Sequence, residues 1–182
     1  MPFLGKPLIS RVLDQLASLA QETIIIAGHP EAYALFNLKV VKDKLPRRGA
    51  LGGLYTGLLE EIHPIVAVAA CDLPFANAIL FTHEYDLLLA EKVDAVVPLT
   101  RKGAEPLHAV YRRATCLPAI RGALDAGKMR LISWFPGLKV RFLSPEEIAP
   151  FDPTGLAFWN LNTMEEFIKA EQACIRGKLL ES

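Results

Sequence analysis

The chain has no Cys-x-x-Cys pair, and its three cysteines, Cys71, Cys116 and Cys174, are odd in number and widely spaced. That is no disulfide framework; free thiols in a reducing cytoplasm are the simplest account. The four histidines, His29, His63, His83 and His108, lack metal-ligand spacing, which argues against a structural zinc site. Neither sign of charge is in excess: 20 basic and 20 acidic residues leave a formal net charge of zero. A general electrostatic grip on nucleic acid or on an anionic membrane is disfavoured, and only a local basic patch stays open. No apolar run approaches the roughly 18–20 residues of a membrane span. The segment Met1-Pro2-Phe3-Leu4-Gly5-Lys6-Pro7 is unlike a signal peptide, because its charge is not in front and no apolar core follows. Internal repeats, low-complexity stretches and linkers are also lacking.

What is present is an apolar, evenly mixed chain. Hydrophobic residues make up 52% of 182, enough for one domain with a full core, spanning 1–182. Apolar residues at Leu8, Val12, Leu13, Leu16 and Leu19 predict a helix over 7–19, with Pro7 in its first turn. Thr23–Ala27 reads as a strand closed by Gly28 and Pro30. A short helix is expected over 31–36, a strand over 39–42 ending at Asp43, and a helix over 54–61. Ile65–Ala70 is a buried strand. Asn77 can cap a helix to about Glu91. Strands are expected over 94–99, over 106–113 with one side near solvent, and over 139–143, with a helix over 115–126 closed by Gly127. Thr163 and Glu166 form a capping box for a last helix running toward Leu180. The alternation implies an α/β fold with a mostly parallel sheet, and the second half calls for one antiparallel strand.

The run Val68-Ala69-Ala70-Cys71-Asp72-Leu73-Pro74-Phe75 carries the most chemistry. A buried strand that stops at a carboxylate puts Asp72 at the carboxyl edge of the sheet, where ligands bind in open α/β folds. Asp72 is the candidate magnesium ligand; a turn or cap aspartate is the bland alternative. Asp43, at another predicted strand end, is the natural second carboxylate if the two strands are neighbours. Gly49, Gly52 and Gly53 would form a glycine loop before a helix, allowing close approach to an anion, or merely a tight turn. The segment does not match the phosphate-loop or dinucleotide fingerprints. Arg47 and Arg48 could reach phosphate or form a solvated charge pair. Asn160 and Asn162 could contact a ligand or shape a turn. Glu105-Pro106-Leu107-His108 would line the same mouth, with His108 also readable as an ordinary strand histidine.

The order of these blocks carries more than any one of them. Gly5-Lys6-Pro7-Leu8-Ile9, Asp43, Gly49-Ala50-Leu51-Gly52-Gly53-Leu54, Cys71-Asp72-Leu73-Pro74-Phe75, Pro106-Leu107-His108-Ala109-Val110-Tyr111-Arg112-Arg113 and Asn160-Leu161-Asn162-Thr163 follow one another. In that order they resemble the molybdenum cofactor guanylyltransferase family over nearly the whole chain. The resemblance implies a three-layer, Rossmann-like nucleotidyltransferase fold. It implies transfer of GMP from magnesium-GTP to molybdopterin carrying molybdenum, with release of pyrophosphate. Asp72 would then be catalytic and hold the magnesium. Asp43, with Gly49, Gly52 and Gly53, would contact the nucleotide, while Asn160, Asn162 and His108 would lie on the pterin side. A molybdoenzyme or chaperone is the further partner implied.

Three departures accompany the resemblance. The family's first strand and its Leu-Ala-Gly-Gly-x-Ser-x-Arg-Met-Gly-x-Asp-Lys loop precede the segment that opens this chain, so Met1 is expected to be an internal methionine. Without that central strand its neighbours should lose ladder partners, so against the activity implied above stands the opposite expectation, that a protein starting here is unstable and inactive. Ala50 stands where the family usually has proline, and Ala27 where some members have a nucleotide-contacting asparagine. The last difference keeps open a cytidylyltransferase for the same cofactor. From another class, a degenerate, non-catalytic homologue would bind molybdopterin or a molybdoenzyme partner without magnesium-dependent GTP binding.

Overall fold

The structure is a computed structural model that describes residues 2–175. In chain order its strands and helices are β1 (Pro2–Phe3), β2 (Lys6–Pro7), α1 (Leu8–Leu16), β3 (Ile24–Ala27), β4 (Lys39–Lys42) and α2 (Gly49–Glu60). There follow β5 (Ile65–Ala69), α3 (Ala78–Ala90), β6 (Ala95–Thr100), β7 (Gly103–Ala104), β8 (His108–Arg112), α4 (Arg113–Asp125), β9 (Val140–Leu143), α5 (Pro145–Ile148) and α6 (Met164–Ile175). The predicted elements stand close to their expected places. The last helix is described only to Ile175, so its continuation toward Leu180 lies outside the described residues, as does the side chain of Cys174. No helix among the described residues is long and apolar enough to cross a membrane.

The main sheet has the order β5-β8-β6-β7, with β9 on β6. β8 runs antiparallel to both β5 and β6, and β9 runs parallel to β6. β5, β6 and β9 therefore share one direction, and β8 is the reversed strand that the second half of the sequence called for. β7 is a two-residue return from β6. β3 and β4 pair in parallel, Ile24 opposite Lys39 through Ala27 opposite Lys42. They form a sheet of their own, and among the described residues no ladder joins β3 to β5.

Side chains alternate across the central strands, and the two cores follow that period. Val96 and Val110 face one layer, packing with Val12, Leu80, Phe81 and Leu88 of α1 and α3. Ala95, Val97, Ala109 and Tyr111 face the other, with Leu51, Leu54 and Leu58 of α2 and Cys116 and Ile120 of α4. Three layers result. A third cluster, of Phe3, Leu161, Phe167 and Ala170, seats α6 against the amino-terminal hairpin.

Two expectations are corrected. β8 has no solvent side: His108 to Tyr111 are all buried, because β8 lies between two strands with helices on both faces. Its polar groups mimic an exposed face but are partnered inside, as when Tyr111 Oη donates to Pro106 O at 2.6 Å. The glycine segment is also not a loop. α2 begins at Gly49 and takes Gly52 and Gly53 into its first turns.

Candidate active site

Asp72 follows the carboxyl end of β5. The ladder between β5 and β8 continues past the strand, Ala70 N–H donating to Leu107 O at 2.8 Å, and the chain then turns. Two contacts tie this turn to residues almost ninety positions later. Leu161 N–H donates to Asp72 O at 3.0 Å, and Asn160 Nδ2 donates to Asp72 Oδ2 at 3.4 Å. Asp72 Oδ1 is buried and has no hydrogen-bond partner among the described residues. A buried carboxylate oxygen without a donor is costly, unless a water or a cation supplies the missing charge. A hard, singly engaged carboxylate at a sheet edge suits magnesium, which takes one or two protein carboxylates and completes its shell with water and phosphate.

Asp43 is held differently. Its N–H donates to Ala27 O at 2.9 Å, which locks the ends of β3 and β4 together. Its Oδ1 accepts from Leu45 N–H at 2.8 Å and from the Thr56 hydroxyl at 3.0 Å. Thr56, fully buried on α2, in turn accepts from Lys44 N–H at 3.1 Å. One carboxylate oxygen of Asp43 thus fastens the turn after β4 to α2. The expectation that Asp43 and Asp72 end neighbouring strands is corrected: β4 pairs with β3, and β5 pairs with β8.

Two of the three candidate glycines answer to backbone geometry. Gly49 opens α2 at φ +56°, a conformation that favours glycine. A Cβ on Gly52 would lie 2.4 Å from Leu45 O, so the turn before α2 crosses this position at a distance only glycine permits. Gly53 meets no such neighbour. The first turn of α2 carries no side-chain cap, and Arg47 and Arg48 occupy the 3-10 turn that leads into it.

Beside Asp72 lies an open cleft of about 420 Å³ whose walls include Leu73, Glu105, Pro106, Leu107, Arg130 and Asn160. Glu105 is fixed by the Thr100 hydroxyl at 2.9 Å. Of the expected pterin-side residues, Asn160 lines this cleft. Asn162 does not: it is exposed at the start of α6, where its N–H donates to Glu166 Oε2 at 2.9 Å beside the predicted Thr163–Glu166 capping box. His108 is the clearest correction. It is fully buried, stacked on Phe81 with ring centroids 3.9 Å apart, and reaches no substrate surface. Arg130 was not singled out from the sequence. Its only signal there is a basic residue shortly after the helix-ending Gly127.

Titratable groups also meet at Glu22, Glu61 and His63, whose nearest oxygens and ring nitrogen lie within 4.8 Å of one another. Glu61 Oε1 already accepts from Ile62 N–H, His63 N–H and His63 Nδ1. This knot closes the link from α2 to β5, at the opposite end of that strand from Asp72. Cys71 is exposed and free. Cys116 is buried, its Sγ–H donating to Asp94 O at 3.2 Å, and burial pushes its thiol up to about 12.

Comparison with known proteins places this arrangement. Residues 1–139 match the model of the MobA-like NTP transferase domain. A molybdenum cofactor guanylyltransferase from Desulfosudis oleivorans is 35% identical over 176 residues, covering 96% of this chain and 86% of that protein. A probable molybdenum cofactor guanylyltransferase from Peptoclostridium acidaminophilum is 31% identical, covering 92% and 77%. Among solved structures, molybdopterin-guanine dinucleotide biosynthesis protein A from Archaeoglobus fulgidus superposes with a TM-score of 0.84 at 23% identity, over 97% of this chain and 89% of that one. The 2-C-methyl-D-erythritol 4-phosphate cytidylyltransferase of Thermus thermophilus shares the fold at a TM-score of 0.69 and 15% identity, over 96% and 92%.

Proposed function

This chain belongs to the MobA-like NTP transferase family, and from that premise we propose that it moves GMP from GTP onto the molybdenum-molybdopterin cofactor, releasing pyrophosphate. The observation that carries the site assignment is the orphaned Oδ1 of Asp72, beside a cleft whose wall is Asn160. Asp72 is the residue that would hold magnesium. When bound, that ion offsets the charge gathering on the phosphate oxygens as the pyrophosphate departs.

The protein's own groups then have separable tasks. Asp72 Oδ1 is available to the cation, while Asn160 Nδ2 donates to Oδ2 and fixes the carboxylate plane. The uncapped first turn of α2 presents free N–H groups that suit a phosphate. Asp43, held by Thr56 and the backbone of Leu45, stays at the end of β4 as the nucleotide contact implied by the family. The cleft with Leu107 and Leu73 as apolar wall and Arg130 as cationic rim suits a pterin bearing a phosphate. In-line attack by that acceptor phosphate on the α-phosphorus needs positioning and charge stabilisation more than covalent help.

The test is competition binding with magnesium-GTP and magnesium-CTP on wild type and Asp72→Asn. Tight binding of GTP that is lost in D72N supports the assignment. Preference for CTP would make this a cytidylyltransferase, and binding that ignores both magnesium and D72N would remove Asp72 from the site.

A further inference from the structure

Glu84 of α3 and His108 of β8 are both fully buried, with Glu84 Oε1 3.2 Å from His108 Nδ1. The other ring nitrogen, Nε2, accepts from Asn77 N–H at 3.4 Å. A neutral imidazole carries one N–H, so an accepting Nε2 places the proton on Nδ1, where it faces Glu84. Asn77 therefore sets the tautomer, and Glu84 Oε1 faces the protonated nitrogen at contact distance, outside hydrogen-bond geometry. Neither oxygen of Glu84 has a hydrogen-bond partner among the described residues, so the pair serves no wider ion network.

What the ring touches gives this pair its meaning. Asn77 closes the segment that starts at Asp72. Its side chain caps α3 through Ile79 N–H and Leu80 N–H and donates from Nδ2 to Phe151 O at 2.9 Å. On its faces the imidazole meets Phe81 and, at 5.1 Å, Phe158. Phe158 stands two residues before Asn160. One ring thus contacts the end of the Asp72 segment and the start of the Asn160 segment, and these are the two segments joined by the Asp72–Asn160 and Asp72–Leu161 hydrogen bonds.

We propose that His108, held by the Asn77 N–H with its Nδ1 facing Glu84, is a positioning residue that sets the Asp72 turn against the Asn160 turn. The proposal rests on the assignment of Asp72 as the metal-holding carboxylate. His108 itself never meets substrate. Its Nε2 fixes the Asn77 backbone, its ring supports Phe158, and the Glu84 oxygen facing Nδ1 favours the orientation that keeps the N–H away from the Asn77 N–H.

The test uses the full chain with manganese as the metal probe. Long-range proton–nitrogen correlation of wild type should show His108 protonated at Nδ1 and bare at Nε2. Manganese affinity, read by electron paramagnetic resonance, should fall roughly tenfold or more in His108→Phe and Glu84→Leu, with a melting temperature close to wild type. Glu84→Gln keeps an oxygen facing Nδ1–H and should retain the wild-type affinity. A ring protonated at Nε2, or variants that lose melting temperature while keeping full manganese affinity, would overturn the proposal. Should H108F fail to fold, the tautomer and E84Q decide it alone. If wild type and D72N bind manganese equally weakly, the metal assignment fails instead. Hydrogen exchange then judges the positioning claim: the Leu161 and Asn77 amides should lose protection in E84L and keep it in E84Q, and unchanged protection in E84L would contradict it.

Discussion

Asn160 Nδ2 donates to Asp72 Oδ2 at 3.4 Å, while Asp72 Oδ1, buried from solvent, has no donor among the described residues. One oxygen is engaged by the protein and the other is left for something positive. Removing Asn160 should therefore weaken metal binding without abolishing it. Asn160→Ala is expected to lower magnesium-dependent nucleotide binding roughly tenfold, and D72N to lower turnover by about 10²–10³. Titration calorimetry and steady-state rates on the two variants check the order.

Gly52 and Gly53 should part company when each becomes alanine. At Gly52 the new Cβ meets Leu45 O at 2.4 Å, a backbone atom that cannot swing away. A loss of about 3 kcal/mol is expected. At Gly53 nothing lies within 4 Å, and the helix should gain up to about 1 kcal/mol. Denaturant unfolding of G52A and G53A gives both signs.

Glu84 and His108 make opposite contributions to the pH dependence of stability. Burial raises the Glu84 carboxyl well above its ordinary 4.5 and lowers the His108 imidazole from 6.5 to about 3. In the window between those ordinary values, folding raises the proton occupancy of the carboxyl and lowers that of the imidazole, so the two contributions to the slope oppose each other. E84Q leaves the histidine alone, so relative to wild type its stability should rise with pH across that window. H108F leaves the carboxyl alone, and its stability should fall relative to wild type over the same window. Unfolding free energies at about pH 5 and about pH 6 read the two opposite signs.

Arg130 rims the cleft on the Asn160 side and makes no side-chain hydrogen bond to a described residue. Arg130→Ala should raise the KM for the molybdopterin acceptor roughly tenfold and leave the KM for GTP unchanged. Separate titration of the two substrates distinguishes this from a general loss of activity.

Much of the site was legible because its signals are local. An apolar run that halts at Asp72 marks a strand end, Asn77 announces a helix cap, and Thr163 with Glu166 spells a capping box. The strand Lys39–Lys42 was likewise readable from its β-branched centre. The misreadings share a long-range cause. Gly49, Gly52 and Gly53 have poor helix propensity, yet they enter α2 because Gly49 takes a positive φ and Gly52 yields space to Leu45 O. His108 seemed to mark a wet strand face because its partners, Glu84 and Asn77, come from α3 and its cap. Arg130 joins the cleft through the chain path after α4, which no local pattern encodes.

The most direct measurement is nucleotidyl transfer with GTP labelled at its α-phosphate, magnesium and molybdopterin, on wild type and D72N side by side. The account predicts label in a guanine dinucleotide of the pterin with wild type, stoichiometric pyrophosphate, and a loss of about 10²–10³ in rate with D72N. Folded wild-type protein that transfers no label, or D72N that transfers it at the wild-type rate, would contradict it.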